Sequence, residues 1–257
     1  MTKLALITGA SSGIGRAFAD RLAADGYDLV AVGRRRDRLD QLAASVTGVR
    51  VQTLVADLST DEGVEAVAER CVSLPLDMLV NNAGVAHYMP VSQLPAHKAH
   101  EVVHVKVVAP TMLIRAAVPG LIERGDGAIV NVAGMLAFSG PAPNAQGRAV
   151  YAGTLAYLVA MTQALHEELR SEGLKVQVVC PGVVATEFHE RQGIDLSAVP
   201  RMSAADVVTA SLRGLDLGEV VCAPGVEDAS LLDAVFRADL AAFGGQGTQL
   251  AQRYRAT

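Results

Sequence analysis

The stretch Thr8-Gly9-Ala10-Ser11-Ser12-Gly13-Ile14-Gly15 follows the apolar run Leu4-Ala5-Leu6-Ile7 and opens a helical pattern that continues to about residue 25. The apolar run predicts a buried strand, and the glycines predict a sharp turn from that strand into a helix. Such a turn exposes backbone N–H groups at the positive end of the helix dipole, which suits a bound pyrophosphate. We therefore expect this turn to bind phosphate through Gly9, Ser11, Ser12, Gly13, Ile14 and Gly15.

Short apolar runs alternate with helical patterns along the rest of the chain. Strands are expected at residues 3–8, 28–32, 49–55, 77–81, 127–132, 175–180 and 219–223. Helices are expected at residues 13–25, 35–45, 60–72, 96–123, 149–172 and 203–216. Most of the apolar runs are continuous and rich in Val, Ile and Leu, which is typical of parallel strands covered on both faces. The pattern predicts an α/β protein: a single doubly wound Rossmann domain over residues 1–257, with a seven-stranded, mostly parallel sheet flanked by helices.

Composition restricts the classes of partner. Hydrophobic residues make up 51% of the 257 residues and charged residues 19%, which argues against a disordered chain. The net charge is −5 and the basic residues are scattered, so we expect neither nucleic acid nor a membrane as a partner. The first strand begins without a basic leader, which predicts a cytoplasmic protein. Cys71, Cys180 and Cys222 are too far apart in sequence for a metal cluster, so we expect no metal.

Arginines follow the second expected strand, in the stretch Gly33-Arg34-Arg35-Arg36. In a dinucleotide-binding fold, an acidic residue at this place binds the ribose 2′-hydroxyl of NAD, whereas a guanidinium accommodates the 2′-phosphate of NADP. Since no acidic residue stands in this stretch, the sequence favours NADP(H) over NAD(H), with Arg34 and Arg35 as ligands. The alternative is that these arginines form a solvated helix start.

With Asn81-Asn82-Ala83-Gly84 and Tyr151, the glycine-rich turn resembles the short-chain dehydrogenase/reductase family, over residues 1 to about 190. The resemblance implies a small-molecule substrate, a homodimer or homotetramer, and a substrate-specific part at about residues 186–257. It also implies further cofactor contacts: Asp57 and Leu58 near the adenine, Asn81, Ala83 and Gly84 near the adenosine ribose, and Pro181, Gly182, Val184 and Thr186 near the nicotinamide.

The catalytic positions implied by this resemblance depart from the family pattern, in which Asn, Ser, Tyr and Lys cooperate. Tyr151 matches the tyrosine that exchanges its proton with the substrate. Leu155 stands at the position of the lysine, and Gly134 stands at that of the serine. Ser139 offers a nearby hydroxyl that we consider as a replacement for the serine, and Lys106 stands at the position of the asparagine.

Lys106 supplies the type of residue that is missing at position 155. An ammonium group in the apolar stretch around it is costly to bury unless it has a functional partner. Leu155 has the shape of a residue that makes room for it. We therefore predict that Lys106 replaces the absent lysine and supports Tyr151 as a catalytic residue. The alternative is a degenerate site in which the lysine extends to solvent.

These residues predict an NADPH-dependent reductase of a carbonyl, or of an imine, on a small and largely apolar substrate. A tyrosine with an ordinary pKa near ~10 is protonated at neutral pH. A protonated tyrosine is suited to donate a proton during reduction, whereas oxidation needs the tyrosinate. Two alternatives remain open: a non-redox NADP-binding sensor or scaffold, and a lyase or isomerase that uses Tyr151 as acid and base beside a structural cofactor.

Overall fold

A parallel sheet organises the first part of the computed structural model, which describes residues 2–143 and 147–255. Its seven strands are β1 (Leu4–Thr8), β2 (Asp28–Gly33), β3 (Val51–Val55), β4 (Met78–Asn81), β5 (Ala128–Val132), β6 (Lys175–Val179) and β7 (Val221–Cys222). The strand order is β3-β2-β1-β4-β5-β6-β7, and every strand pair is parallel. The predicted seven-stranded Rossmann sheet is confirmed, and the strand ends agree with the prediction to within about two residues.

Helices connect the strands and cover both faces of the sheet. They are α1 (Gly13–Ala24), α2 (Arg36–Ser45), α3 (Asp61–Ser73), α4 (Ala96–Val103), α5 (Ala109–Arg124), α6 (Ala149–Leu169) and α7 (Ala204–Leu217). The expected helix at residues 96–123 is interrupted: a π-helical turn, His104–Val108, joins α4 to α5. Because a π-helical turn closes its hydrogen bonds one residue later than an α-helix, it rotates the side chains that follow it.

The alternation of side chains along β1 builds a core on each face of the sheet. Ile7 packs in one core with Phe18 of α1 and Val207 of α7. Leu6 packs in the other core with Leu113 of α5. Both faces of the strand are therefore buried, which explains why the strand sequences are continuous apolar runs rather than alternating patterns.

The chain reverses its direction of travel across the sheet between β1 and β4, and a crevice opens there at the carboxyl ends of the strands. Gly9 turns the chain out of β1 with a φ of +68°, in the left-handed region that favours glycine. Asn82 holds this turn, because its Nδ2 donates to the carbonyl oxygens of Thr8, at 3.0 Å, and of Gly9, at 3.3 Å. A Cβ on Gly15 would collide with the carbonyl oxygen of Gly9, so Gly15 lets α1 approach the strand closely.

The described residues fall into two compact units, the first ending at Pro224 and the second beginning at Gly225. The second unit contains the helix α8 (Ser230–Gly244), which has no buried residue. The helices expected from the sequence do not include this one, although Leu232, Leu240 and Phe243 recur at helical spacing. The expectation of one domain over residues 1–257 stays a prediction.

One helical segment, Ala96–Arg124, is long and apolar enough to cross a membrane by length and composition, among the residues that the structure describes. Within it, Leu113 and Leu121 are buried in the core beneath the sheet. The same length and composition occur in the core helices of soluble proteins. The expectation that no membrane is a partner stays a prediction.

The close approach at Gly15 leads to a stability prediction. In Gly15→Ala the new methyl group meets the backbone oxygen of Gly9, which cannot rotate away. We expect the free energy of unfolding to fall by about 2 kcal/mol, as for other overpacked sites. Urea unfolding followed by circular dichroism measures the change.

Gly153→Ala is the matched control. Gly153 lies within α6, and no atom comes within 4 Å of the place that its Cβ would take. Since alanine favours a helix more than glycine does, this variant should gain up to about 1 kcal/mol. A Gly15→Ala protein as stable as the wild type would contradict the close approach.

Candidate active site

A cavity of about 470 Å³ lies where the strands β1 to β6 end. Its wall includes most of the residues that the sequence analysis assigns to the cofactor and to catalysis. These are Gly9, Ser11, Ser12, Gly13, Ile14, Arg34, Arg35, Asp57, Leu58, Ala83, Gly84, Lys106, Tyr151, Pro181, Gly182, Val184 and Thr186. Residues from distant parts of the sequence thus surround one space, as expected for a crevice at the reversal point of a Rossmann sheet.

Two expected cofactor residues, Gly15 and Asn81, do not line this cavity. Gly15 supports the glycine-rich turn from behind, through its close approach to Gly9. Asn81 is buried in β4, where its Nδ2 donates to the Oδ1 of Asn131 at 3.0 Å. Asn131 donates in turn to the hydroxyl of Thr162 at 2.9 Å, which links β4 and β5 to α6. Both residues therefore shape the site without facing it.

The start of α1 offers hydrogen-bond donors to an anion. Ser12 stands at the N-cap of this helix, and its hydroxyl accepts no hydrogen bond from the first backbone N–H groups of the helix. Beside the turn that precedes α1, the Nη2 of Arg35 donates to the Ser11 hydroxyl at 3.2 Å. Amides at a positive helix end together with a guanidinium fit the phosphates of a dinucleotide.

Arg34, the residue before Arg35, also lines the cavity and lies between two acidic side chains. Its Nη1 is 3.8 Å from the Oδ2 of Asp57 and 3.5 Å from the Oε1 of Glu101. Glu101 belongs to α4, so this ion pair connects Arg34 to that helix. The Nε2 of His87 lies 2.8 Å from the other oxygen of the Glu101 carboxylate. Since the Arg34 side chain is half exposed, these ion pairs are weak and can be exchanged for a bound phosphate.

Tyr151 lies near the start of α6 and is almost fully buried, with 7% of its surface exposed. Burial and the neighbouring Tyr88 both raise the pKa of the Tyr151 hydroxyl. The Tyr88 ring meets the Tyr151 ring edge-on, with 5.6 Å between centroids, and the Phe188 ring lies 6.3 Å away. The raised pKa keeps the Tyr151 hydroxyl protonated at neutral pH.

Lys106 is buried in the π-helical turn, with 4% of its surface exposed. Its Nζ donates to the carbonyl oxygen of Val132, at the end of β5, at 3.0 Å. Burial lowers the pKa of Lys106 to about 8. A Cβ on Gly84 would lie 2.7 Å from the lysine Cε, so the glycine leaves room for the end of the lysine side chain in this position. The side chain does not extend to solvent, in contrast to the alternative considered from the sequence.

The positions of the absent lysine and serine form an apolar wall. Leu155 is buried, and its Cδ1 lies 3.5 Å from the place that a Cβ on Gly134 would take. Ser139 is not a wall residue of the cavity, and its hydroxyl donates to the carbonyl oxygen of Leu136 at 2.7 Å. Ser139 is therefore engaged in its own turn and does not stand in for the serine.

The cavity wall also contains residues beyond the expected cofactor and catalytic residues. Most of these side chains are apolar or aromatic, and several follow Thr186 directly. They include Val85, Tyr88, Val105, Met135, Leu136, Val183, Glu187, Phe188, His189 and Arg191. The His189 ring stacks on Tyr88 at 6.3 Å between centroids and 11° between planes. Aromatic and apolar side chains of this kind line sites for apolar ligands.

Comparison with protein families and solved structures agrees with this geometry. Residues 3–196 match the family model of short chain dehydrogenases. A short-chain dehydrogenase from Sphingobium yanoikuyae, solved in complex with NADPH, is 37% identical, with a TM-score of 0.93 over 98% of this chain and 100% of that one. A bulky-bulky ketone specific alcohol dehydrogenase from Comamonas testosteroni is 30% identical, with a TM-score of 0.89 over 99% of each chain.

Some of the relatives known by sequence are named reductases. The sulfoacetaldehyde reductase 2 of Chromohalobacter salexigens is 35% identical over 229 residues, which are 86% of this chain and 87% of that protein. The mouse very-long-chain 3-oxoacyl-CoA reductase is 29% identical over 223 residues, 83% of this chain. This chain spans 68% of the mouse protein and 60% of the human one. The family resemblance is thus confirmed: the chain belongs to the short-chain dehydrogenase family and is an oxidoreductase.

Proposed function

We propose that this oxidoreductase uses NADPH to reduce a carbonyl, or an imine, on a small and largely apolar substrate. The observation that carries the proposal is a buried ammonium group, that of Lys106, in the wall of the cavity that Tyr151 also lines. It supplies positive charge to a site in which the apolar Leu155 stands where the family pattern has a lysine.

Tyr151 donates the proton in this reaction. When bound, the nicotinamide supplies the hydride, and the substrate oxygen takes the proton from the Tyr151 hydroxyl. The tyrosinate that forms is costly in a buried place, because burial disfavours the charged form. The ammonium of Lys106 offsets part of this cost, as a fixed positive charge does where negative charge develops during a reaction.

The walls favour an apolar substrate. Tyr88, Leu136 and Phe188 border the cavity around Tyr151, whereas the charged Arg34 and Arg35 lie at its cofactor end. The Comamonas testosteroni relative is described as specific for bulky-bulky ketones, which supports a ketone as the first substrate class to try. A homodimer or homotetramer and a cytoplasmic location belong to the same proposal as expectations.

Lys106→Met tests the role of the buried lysine. Methionine keeps an unbranched side chain of nearly the same length and removes the charge, so the tyrosinate loses its stabilising partner. We expect kcat/KM for NADPH-dependent reduction of an aryl ketone to fall by about 100-fold to 1,000-fold. The decrease in nicotinamide absorbance gives the rate. Adding Leu155→Lys to this variant should restore part of the activity, because the ammonium returns at the family position.

Lys175→Met is the matched control, since Lys175 is an exposed lysine at the start of β6 and does not line the cavity. It should retain the wild-type rate. Unchanged reduction in Lys106→Met would overturn the assignment. A wild-type protein that binds NADPH and oxidises it with none of the ketones would favour the non-redox alternative.

The lowered pKa of Lys106, about 8, predicts a pH dependence. The ammonium is charged below this pH and neutral above it. The rate of ketone reduction should therefore be constant below about pH 7 and fall as the pH rises through about 8. Initial rates between pH 6 and 9.5 at saturating NADPH give the profile. A reduction rate that increases with pH through this window would contradict the role of the ammonium.

The arginines after β2 predict the choice of cofactor. Replacing Arg34 and Arg35 by Ser should raise the Kd of NADPH by about 100-fold and leave that of NADH nearly unchanged, because charge-assisted hydrogen bonds to the 2′-phosphate are lost. Arg36→Ser is the control, since Arg36 is exposed and does not line the cavity. Equal weakening of both cofactors in the double variant would show that the arginines do not read the 2′-phosphate.

A further inference from the structure

The carboxylate of Glu187 lies within an anion site inside the cavity. The Nη2 of Arg35 donates to its Oε1 at 2.8 Å, and the Nη2 of Arg191 donates to the same oxygen. The Ser12 hydroxyl also donates to this carboxylate. Arg35, Arg191, Ser12 and Glu187 all line the cavity. Three donors from distant parts of the chain thus converge on one negative group.

The three groups that face the Glu187 carboxylate come from three segments of the chain, and only two of these segments are expected to bind the cofactor. Ser12 belongs to the glycine-rich turn, and Arg35 follows β2, so both are expected phosphate ligands of the cofactor. Arg191 comes from the short helical turn after Thr186, and no sequence pattern assigns it to the cofactor. The carboxylate therefore stands among groups that are suited to a phosphate oxygen.

Glu187 is ionised in this cluster. Burial by itself would raise its pKa, but the hydrogen bonds from Arg35 and Ser12 and the charge of Arg191 outweigh burial and lower the pKa to about 2. An ionised carboxylate and a phosphate repel each other at short distance. A phosphate that binds these donors therefore competes with the carboxylate for them.

The two guanidinium groups need an anion between them. Burial lowers the pKa of Arg191, Glu187 raises it, and the positive charges of Arg35 and Arg34 lower it further. If the carboxylate left and nothing replaced it, two like charges would remain facing each other. A phosphate that takes its place satisfies both Arg35 and Arg191.

We propose that Arg191 is a phosphate ligand of the cofactor, and that Glu187 occupies the place of that phosphate until the cofactor enters. The proposal rests on the proposed use of a nicotinamide dinucleotide and adds to it a ligand from the segment after Thr186. The phosphate is either the 2′-phosphate, which only NADP(H) carries, or the pyrophosphate, which both dinucleotides carry.

The same segment also borders the catalytic tyrosine. Phe188, next to Glu187, places its ring 6.3 Å from that of Tyr151, and His189 stacks on Tyr88. The segment that carries Glu187 and Arg191 therefore also contributes side chains to the wall at the substrate end of the cavity.

Fluorescence titration of the full-length protein with NADPH and with NADH, at one ionic strength, tests the proposal. Arg191→Gln should raise the Kd of NADPH by about 10-fold or more, since a charge-assisted hydrogen bond is lost. If the ligand is the 2′-phosphate, the Kd of NADH stays unchanged; if it is the pyrophosphate, both values rise together. Glu187→Gln should lower the Kd of NADPH by about threefold to tenfold, because the competing charge is gone.

Two exposed charged residues supply matched controls. Glu190 is an exposed acid three residues after Glu187, and Arg170 is an exposed arginine paired with Glu167 at the end of α6. Glu190→Gln and Arg170→Gln should leave both Kd values within about twofold of the wild type. An Arg191→Gln protein that binds both dinucleotides as Arg170→Gln does would overturn the ligand role. A Glu187→Gln protein that binds NADPH no more tightly than Glu190→Gln does would overturn the competition.

The titration reads binding and not turnover, so its outcome is separate from that of the reductase assay. A wild-type protein that binds NADPH but reduces no carbonyl would remove the proposed activity and leave the Arg191 result valid. Conversely, an active reductase whose Arg191→Gln variant binds NADPH normally would keep the activity and remove the ligand.

Discussion

Burial of the Lys106 ammonium is the constraint on which the arrangement of the site depends. A buried charge loses several kcal/mol of hydration unless nearby groups compensate for it. Here the carbonyl oxygen of Val132 accepts a hydrogen bond from it, and the absence of a side chain on Gly84 leaves space for the end of the lysine side chain. The π-helical turn that carries Lys106 is of the kind that recurs at functional sites in helices. Burial of the Lys106 ammonium therefore lowers the stability of the fold, and this residue faces the cavity.

The two ends of the cavity differ in their electrostatics, and the sheet explains why they meet. The carboxyl ends of β1 and β2 bring the amides of α1 and the arginines after β2 to one end. The carboxyl end of β5 and the start of α6 bring Gly134 and Tyr151 to the other. A dinucleotide with charged phosphates and an uncharged reacting ring matches this division. The match comes from the order of parallel strands and not from neighbouring positions in sequence.

The sequence was sufficient to predict the strands and most of the cavity wall, because continuous apolar runs and glycine turns are local signals. It assigned Gly15 and Asn81 to the cofactor, since a family motif mixes residues that touch the ligand with residues that pack behind it. It missed Glu187 because the ion pair of Glu187 with Arg35 spans 152 positions, and no local pattern reports such a contact. It also missed the π-helical turn, because an apolar helix looks alike with or without one extra residue in a turn.

Gly134 has a consequence for stereochemistry. In the family pattern a serine at this place holds the substrate oxygen. Here the position is Gly134, which has no side chain and lies beside Leu155. A carbonyl compound has two faces, and hydride addition to one or the other gives opposite enantiomers of the alcohol. In the proposed reduction of a ketone, no hydroxyl at position 134 fixes the oxygen, so the two substituents of the ketone select the face by their fit against Tyr88, Leu136 and Phe188. Optical purity of the product is then a measure of shape: high when the substituents differ in size, and low when they are alike.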